Sequence, residues 1–446
     1  MSNSAHRKVD RLTLAAIASV SLPIATLTAP LVVYLPEFYT NALGLDLALV
    51  GTIFSVVRLV DIALDPVLGS FMDRTQSRWG RYRPWLALGT PLLMLSVAML
   101  FFARPGVGPL HLLTWLIGAY AAWSIISLSQ LSLSAELSPS YDERSRVYGW
   151  VQSGSIIGIL LVLSLPLVIQ RGQSDQYATM YIMGWLTICL MPLCAGFALM
   201  RLRGSSAAGH SEHGSLIEYL KLFRNPIVLR LLGADLLLGL ASGMTSAVSI
   251  FFFTRALQLP RAAVAFMIIA HMLTAFVMAP VWTKVAQRFG KHRALSVSIG
   301  VYVLGQLLYL LSPPGSIAMA FLASAVAGCS YSAFVMFPRA MMADVGDDEL
   351  LRTGVNRTAL LYALLMGTWK VGQALSVGAA FVILSLMSFD PQRSVINTAA
   401  VHGLYLIYVG GPVILAMLAT LAMYRYPLTS SRHAAIRAEL EVRTDL

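Results

Sequence analysis

Apolar runs of twenty residues or more recur along the whole chain, and nothing else constrains its fold as strongly. About 20 residues at 1.5 Å rise cross roughly 30 Å of hydrocarbon. No water is available there, so the backbone groups of such a run must bond within their own helix. The runs lie at about 12–39, 47–72, 85–103, 111–137, 145–170 and 177–202, and again at about 227–254, 262–287, 294–312, 316–343, 356–388 and 397–424. Between the two groups falls "RLRGSSAAGHSEHGSLIEYLKLFRNP", a polar linker with one short amphipathic stretch. Only 12% of the 446 residues are charged and 57% are hydrophobic, whereas soluble domains carry about one quarter charged residues. The division expected is 1–203, a six-helix bundle; 204–225, a linker; 226–428, a second six-helix bundle; and 429–446, a tail.

The formal charge of +11 raises the question of nucleic acid. Lys and Arg, however, sit in short segments between apolar runs and form no basic helix, which excludes nucleic acid and points to lipid headgroups. Arg7, Lys8 and Arg11, then Arg74, Arg78, Arg81 and Arg83, the linker, Lys284, Arg288, Lys291 and Arg293, and finally Arg425, Arg432 and Arg437 occupy alternate connections. The intervening connections carry single basic residues such as Arg104, Arg171 and Arg393. Both termini are therefore expected on the cytoplasmic side of the plasma (inner) membrane. The apolar stretch that follows the basic N-terminus runs past Val33 without a small-residue cleavage site, so it reads as a first span rather than a signal peptide. Cys189, Cys194 and Cys329 all fall in apolar runs without disulfide or metal-ligand spacing.

The two halves repeat each other. "GSFMDRTQSRWGRYR" separates runs 2 and 3, and "PVWTKVAQRFGKHR" separates runs 8 and 9; both end in Arg, aromatic, Gly, basic, any residue, Arg. The first copy resembles the loop motif of the major facilitator superfamily through Gly69, Asp73, Arg78, Gly80 and Arg81, to which the resemblance assigns a gating role. The fold class implied is an all-α integral membrane protein, with twelve transmembrane helices in two pseudo-symmetric six-helix bundles and a substrate site near the midplane.

Run 2 holds Arg58, Asp61 and Asp65. On a helix their spacing of three and four puts them on one face. Each charge near mid-bilayer costs roughly 2.5–3.5 kcal/mol on insertion scales, so they must face the protein interior or a water-filled cavity. Run 11 carries a single charge near its middle, Lys370, which needs an anion for the same reason. A static ion network between the bundles is one reading; a switch whose charge balance a proton or Na+ changes is the stronger one. Two adjacent carboxylates rarely both ionise at ordinary pKa, so one can hold a proton, or both can ligate Na+.

"RLVDIALDPVLGSFMDRTQSRWGRYRPW", "LSAELSPSYDERSRV" and "ADVGDDELLRTGVNRTALLYALLMGTWKVGQAL" resemble, in order, signature segments of the glycoside-pentoside-hexuronide:cation symporters, the melibiose permease family. The resemblance implies cation binding or proton carriage at Asp61 and Asp65, and charge pairing at Lys370 with Arg58 nearby. It departs from the sugar-binding members where polar anchors on helices 1, 4 and 5 fall near Ala25, Ser127 and Val151 here. Loss of the helix 1 and helix 4 acids removes oxygen ligands that suit Na+, which favours H+.

The function implied is secondary active symport of a small organic solute of the glycoside or sugar class with H+ or Na+, by a monomer without cofactor. Na+, if used, would be held by Asp61 and Asp65. Lysolipid or another amphipathic solute on the same fold is the alternative. No phosphate loop, nucleophile elbow or metal-ligand spacing points to an enzyme. Candidate solute contacts are Tyr34 and Thr28, Trp123 and Gln130, Trp150 and Gln152, and Thr368 and Trp369. Asp235 in run 7 reads as a helix-packing hydrogen bonder in preference to a second ionisable switch. His271 and His402 read as satisfied core histidines. The acidic run Asp344 to Glu349 reads as a partner for loop arginines at the inward gate, or as a solvated surface.

Overall fold

A computed structural model describes residues 9–28, 30–137, 141–169, 176–202, 222–387 and 398–444. Among the described residues every regular element is helical. Helix α1 (Arg11–Thr26) is followed by helical turns at Pro30–Tyr34, Leu35–Glu37 and Phe38–Ala42. Then come α2 (Leu47–Arg74), α3 (Arg83–Phe101), α4 (Pro109–Leu137), α5 (Tyr141–Ile169) and α6 (Gln176–Arg201). The second half contains α7 (Pro226–Phe251), α8 (Arg261–Phe289), α9 (Lys291–Leu310), α10 (Ile317–Gly328), α11 (Tyr331–Thr353), α12 (Thr358–Leu386), α13 (Thr398–Tyr405), α14 (Gly411–Ala422) and α15 (Ser430–Thr444).

Among the described residues, nine helical stretches are long and apolar enough to cross a membrane. The other three expected spans fall short for identifiable reasons. Helix α1 is 16 residues long before its geometry changes. Helix α2 has 28 residues but carries Arg58, Asp61 and Asp65. Helix α5 is 29 residues long and free of charge after Arg146, but several of its side chains toward Ile169 lie outside the described residues. The expected all-α membrane fold is therefore present. Most of the 204–225 linker, together with Arg171 and Arg393, lies outside the described residues.

Two compact units emerge: Met1–Glu212 with Gly346–Ala363, and His213–Val345 with Leu364–Leu446. In the first, α1 packs on α5 and α6, α2 packs on α4, and α3 packs on α4 and α6. Close approach of α1 to α5 depends on small residues, as in membrane helix pairs generally. A Cβ on Gly154 would strike the Ala18 carbonyl, and one on Gly158 would strike the Leu22 carbonyl.

In the second unit α7 packs on α14, and α10 packs on α8 and α9. Helix α12 crosses α7 where Gly239 and Gly243 meet Trp369, Gln373 and Ser376. Two single π-helical turns, Phe252–Ala256 and Leu406–Gly410, bring Phe252 and Tyr408 into a parallel stack with ring centroids 4.0 Å apart. The tail beyond 429 is helical as α15, and it buries His433 and Ile436.

Candidate transport site

In the first unit, α2 presents Asp61 and Asp65 one turn apart, and both are buried. The Ser124 hydroxyl of α4 donates to Asp61 Oδ1 at 3.0 Å. Ser129 and Ser134 of the same helix instead donate back to the carbonyls of Ile125 and Gln130. Arg58, one turn earlier on α2, is half-buried. The three ionisable residues thus lie on one helix face.

The neighbouring candidates divide by what they touch. Gln130 on α4 donates to the Ile17 carbonyl and to Ser21 Oγ, each at 2.6 Å, so its amide nitrogen holds α1 and α4 together. Gln152 on α5 is buried, and its Oε1 has no hydrogen-bond partner among the described residues. Trp150, two residues away and 38% exposed, lies on the opposite face of α5. Trp123 is half-buried with its ring centroid 5.8 Å from that of Tyr120, and Tyr34 is half-buried in the Pro30–Tyr34 turn. Thr28 is exposed just beyond α1. Ala25, Ser127 and Val151, where the polar anchors of sugar-binding relatives were expected, are all buried.

In the second unit, Thr368, Trp369 and Lys370 are half-buried on α12. Thr368 Oγ1 donates to Asp235 Oδ2 at 2.9 Å, so Asp235 bridges α7 to α12 as a helix-packing acceptor. Arg339 on α11 lies within electrostatic reach of Asp235. Sequence reasoning missed Arg339, although it is a lone cation inside the apolar run 316–343, the same signal that singled out Lys370. His271 is half-buried beside Tyr331 with ring centroids 5.8 Å apart, and is bonded to the Ser324 backbone. His402 lies on α13.

The loop motif between α2 and α3 has a defined geometry within the first unit. Asp73 is buried and accepts the backbone amides of Ala359 and Leu360, each at 2.9 Å, and the Tyr82 hydroxyl at 2.7 Å. Ala359 and Leu360 are in the first turn of α12, whose unpaired amides and partial positive charge attract a carboxylate. Burial, and then the carboxylate beside it, hold the Tyr82 phenol well above its ordinary range, so it remains a donor. Gly69 leaves space for this stretch, since a Cβ there would stand 2.9 Å from the Ala359 oxygen. Gly80 has φ 92 and its repeat partner Gly290 has φ 88. Both copies need glycine at the same left-handed turn. Arg81 acts on Glu136 at the end of α4, and its counterpart Lys291 pairs with Asp344 on α11. Arg78 is exposed.

The acidic run is paired rather than solvated. Asp347 meets Arg144 at 2.8 Å, Glu349 meets Arg357 at 3.4 Å, and Asp344 meets Lys291 at 2.6 Å.

Comparison with known proteins agrees with this architecture. Residues 16–430 match the family described as MFS/sugar transport protein. The uncharacterized symporter YnaJ of Bacillus subtilis is 24% identical over 92% of this chain and 90% of its own length. A glucuronide carrier protein homolog of Escherichia coli is 22% identical over 92% of this chain and 91% of its own. A bacterial homologue of the iron transporter ferroportin, solved in an outward-facing state, shares the fold with a TM-score of 0.71 at 13% identity, covering 94% of this chain and 99% of that one. The fold, the paired loop motifs and these relatives identify a multi-pass membrane transporter rather than an enzyme, and the chain belongs to the MFS/sugar transport family, among the glycoside-pentoside-hexuronide:cation symporters of the major facilitator superfamily.

Proposed function

We propose that the protein couples entry of H+ or Na+ to uptake of a small organic solute of the glycoside or sugar class, across the plasma (inner) membrane with both termini cytoplasmic. The observation that carries this reading is the pair of buried carboxylates, Asp61 and Asp65, one turn apart on α2 and backed by Ser124. Two carboxylates one turn apart can together hold a proton or ligate a Na+ ion through their oxygens. Either ion is cargo, moved down its gradient; the protein itself needs no cofactor. Lys370, the half-buried cation of α12, is the second charge of the switch.

Solute selection is assigned to polar and aromatic groups near these charges. Gln152 supports that assignment best, because its buried carbonyl oxygen has an unused lone pair that a sugar hydroxyl can satisfy. The glucuronide carrier homolog among the relatives supports the glycoside class. The basic ends of the helices, Arg74 to Arg83 and Lys291 to Arg293, support a cytoplasmic location of that face.

A thermal-shift titration of the purified protein tests this reading, using methyl glycosides, methyl glucuronides and lysolipid at two pH values with and without Na+. Stabilisation by a glycoside that depends on pH or on Na+ is the expected result. Stabilisation by lysolipid alone contradicts it.

A further inference from the structure

The second unit carries its own buried carboxylate. Asp235 is 4% exposed on α7, and its Oδ2 accepts the Thr368 hydroxyl at 2.9 Å. Arg339, the lone cation of α11's apolar stretch, is its charged neighbour. Among the described residues, the remaining elements around α7 add no competing charge. Helix α14, which packs along it, has no ionisable residue. On α12, Lys370 follows Thr368 by two residues and therefore points about 200° around the helix. Tyr331 on α11 lies within reach of the same Arg339. Tyr408 meets α7 at Phe252, about 25 Å along the helix from Asp235 at 1.5 Å per residue. On α7 itself Arg230 is exposed.

This arrangement differs from an ordinary packing hydrogen bond in two ways. The Thr368 hydroxyl has one acceptor on its own helix, the Leu365 carbonyl at 2.8 Å, and a second across the crossing that is a carboxyl within electrostatic reach of a guanidinium. The partner residue is also not sealed off. Thr368 is half-buried, as are Met366, Gly367, Trp369 and Lys370, so the α12 side of the bond reaches an accessible surface by which a proton can arrive.

We propose that Asp235 is a second exchangeable proton site of the transporter, and that its charge state sets how firmly α12, and with it Lys370, is held against α7. With Asp235 ionised, the Thr368 hydroxyl turns its proton from the Leu365 carbonyl to the carboxylate in a charge-assisted hydrogen bond. When a proton binds, the carboxyl becomes neutral and its bond to Thr368 loses the charge assistance, the hydroxyl proton returning to the Leu365 carbonyl. No bond other than O–H forms or breaks, and the proton comes from water. The α7–α12 crossing transmits the change because Gly239 and Gly243 let the two backbones touch at Trp369 and Ser376. The role in transport rests on the symport reading above; the existence of the site does not.

Infrared spectroscopy of the full-length protein in lipid, recorded across a pH titration, reads protonated carboxyls directly and needs no solute. The expected result is a carboxyl band that titrates in the wild type and in the Asp61→Asn/Asp65→Asn double variant but is missing from Asp235→Asn, which keeps an acceptor for Thr368. Thr368→Val removes a bond to the charged form and should move the midpoint up by about one pH unit, a tenfold change in proton affinity, while Thr368→Ser restores it. A carboxyl spectrum unchanged by Asp235→Asn, or a midpoint unmoved by Thr368→Val, overturns the proposal. If the Asp235 band behaves as expected while Asp61→Asn and Asp65→Asn keep concentrative uptake, the proton site stands and the symport reading fails.

Discussion

The ammonium of Lys291 stands 2.6 Å from Oδ2 and 2.9 Å from Oδ1 of Asp344, with neither side chain appreciably exposed. His433 of α15 reaches the same carboxylate at 3.6 Å, so the C-terminal helix docks on this pair. A buried ion pair is a poor source of net stability but a sensitive point, because removing one partner strands the other charge. Asp344→Asn is expected to cost about 3–5 kcal/mol, whereas the double change Lys291→Met/Asp344→Leu should be close to neutral. Thermal unfolding of the two variants side by side checks this, and an Asp344→Asn protein as stable as the wild type would contradict it.

Asp73 closes a different kind of contact, from a carboxylate to two helix-end amides. Asp73→Ala leaves Ala359 and Leu360 without their acceptor and should cost about 1–2 kcal/mol, the range of a lost helix cap. Tyr82→Phe removes one neutral donor and should cost about 1 kcal/mol. Labelling of a cysteine placed at Thr353 should speed up in Asp73→Ala if this contact holds the 346–363 stretch to its unit.

These contacts show what the sequence makes legible and what it hides. Buried charge in an apolar run can be read directly, which is why Arg58, Asp61, Asp65 and Lys370 were found. The repeat of the loop motif was equally plain, and the shared conformation of Gly80 and Gly290 bears it out. Partners distant along the chain cannot be read this way. Asp73 and Leu360 are 287 positions apart, and the amides Asp73 caps carry no side-chain signature. Ser124 looks like any small residue of a membrane helix until Asp61 is seen against it. The run Asp344 to Glu349 could be read either as a partner for loop arginines or as a solvated surface, because its partners, Arg144, Lys291 and Arg357, come from three separate segments. Arg339 carried the same signal as Lys370, a lone cation inside the apolar run 316–343, and was passed over for the acidic run that follows it.

Gln152 offers a test that separates structural from functional roles. Its buried Oε1 lacks a partner among the described residues. Gln152→Met should therefore leave thermal stability unchanged or raise it, by up to about 1–3 kcal/mol, while lowering glycoside uptake. A stability loss with unaltered uptake would assign Gln152 to packing.

The α1–α5 crossing should tolerate no side chain. Gly158→Leu drives a branched group into Leu22 and Ala25. A cost of about 1–3 kcal/mol or more is expected from overpacking, seen as lost yield of monodisperse protein in detergent. Gly378, which has open space around it, serves as the control position, where alanine should be harmless beyond its small propensity effect.

The central claim is that the Asp61 and Asp65 carboxylates carry the coupling cation. Uptake of radiolabelled methyl glycosides and glucuronides into proteoliposomes, driven by an imposed pH or Na+ gradient, tests it most directly in the wild type, Asp61→Asn and Asp65→Asn. Accumulation above the external concentration is expected in the wild type and should vanish in each variant, with protein incorporation unchanged. Concentrative uptake retained in both variants would contradict the account.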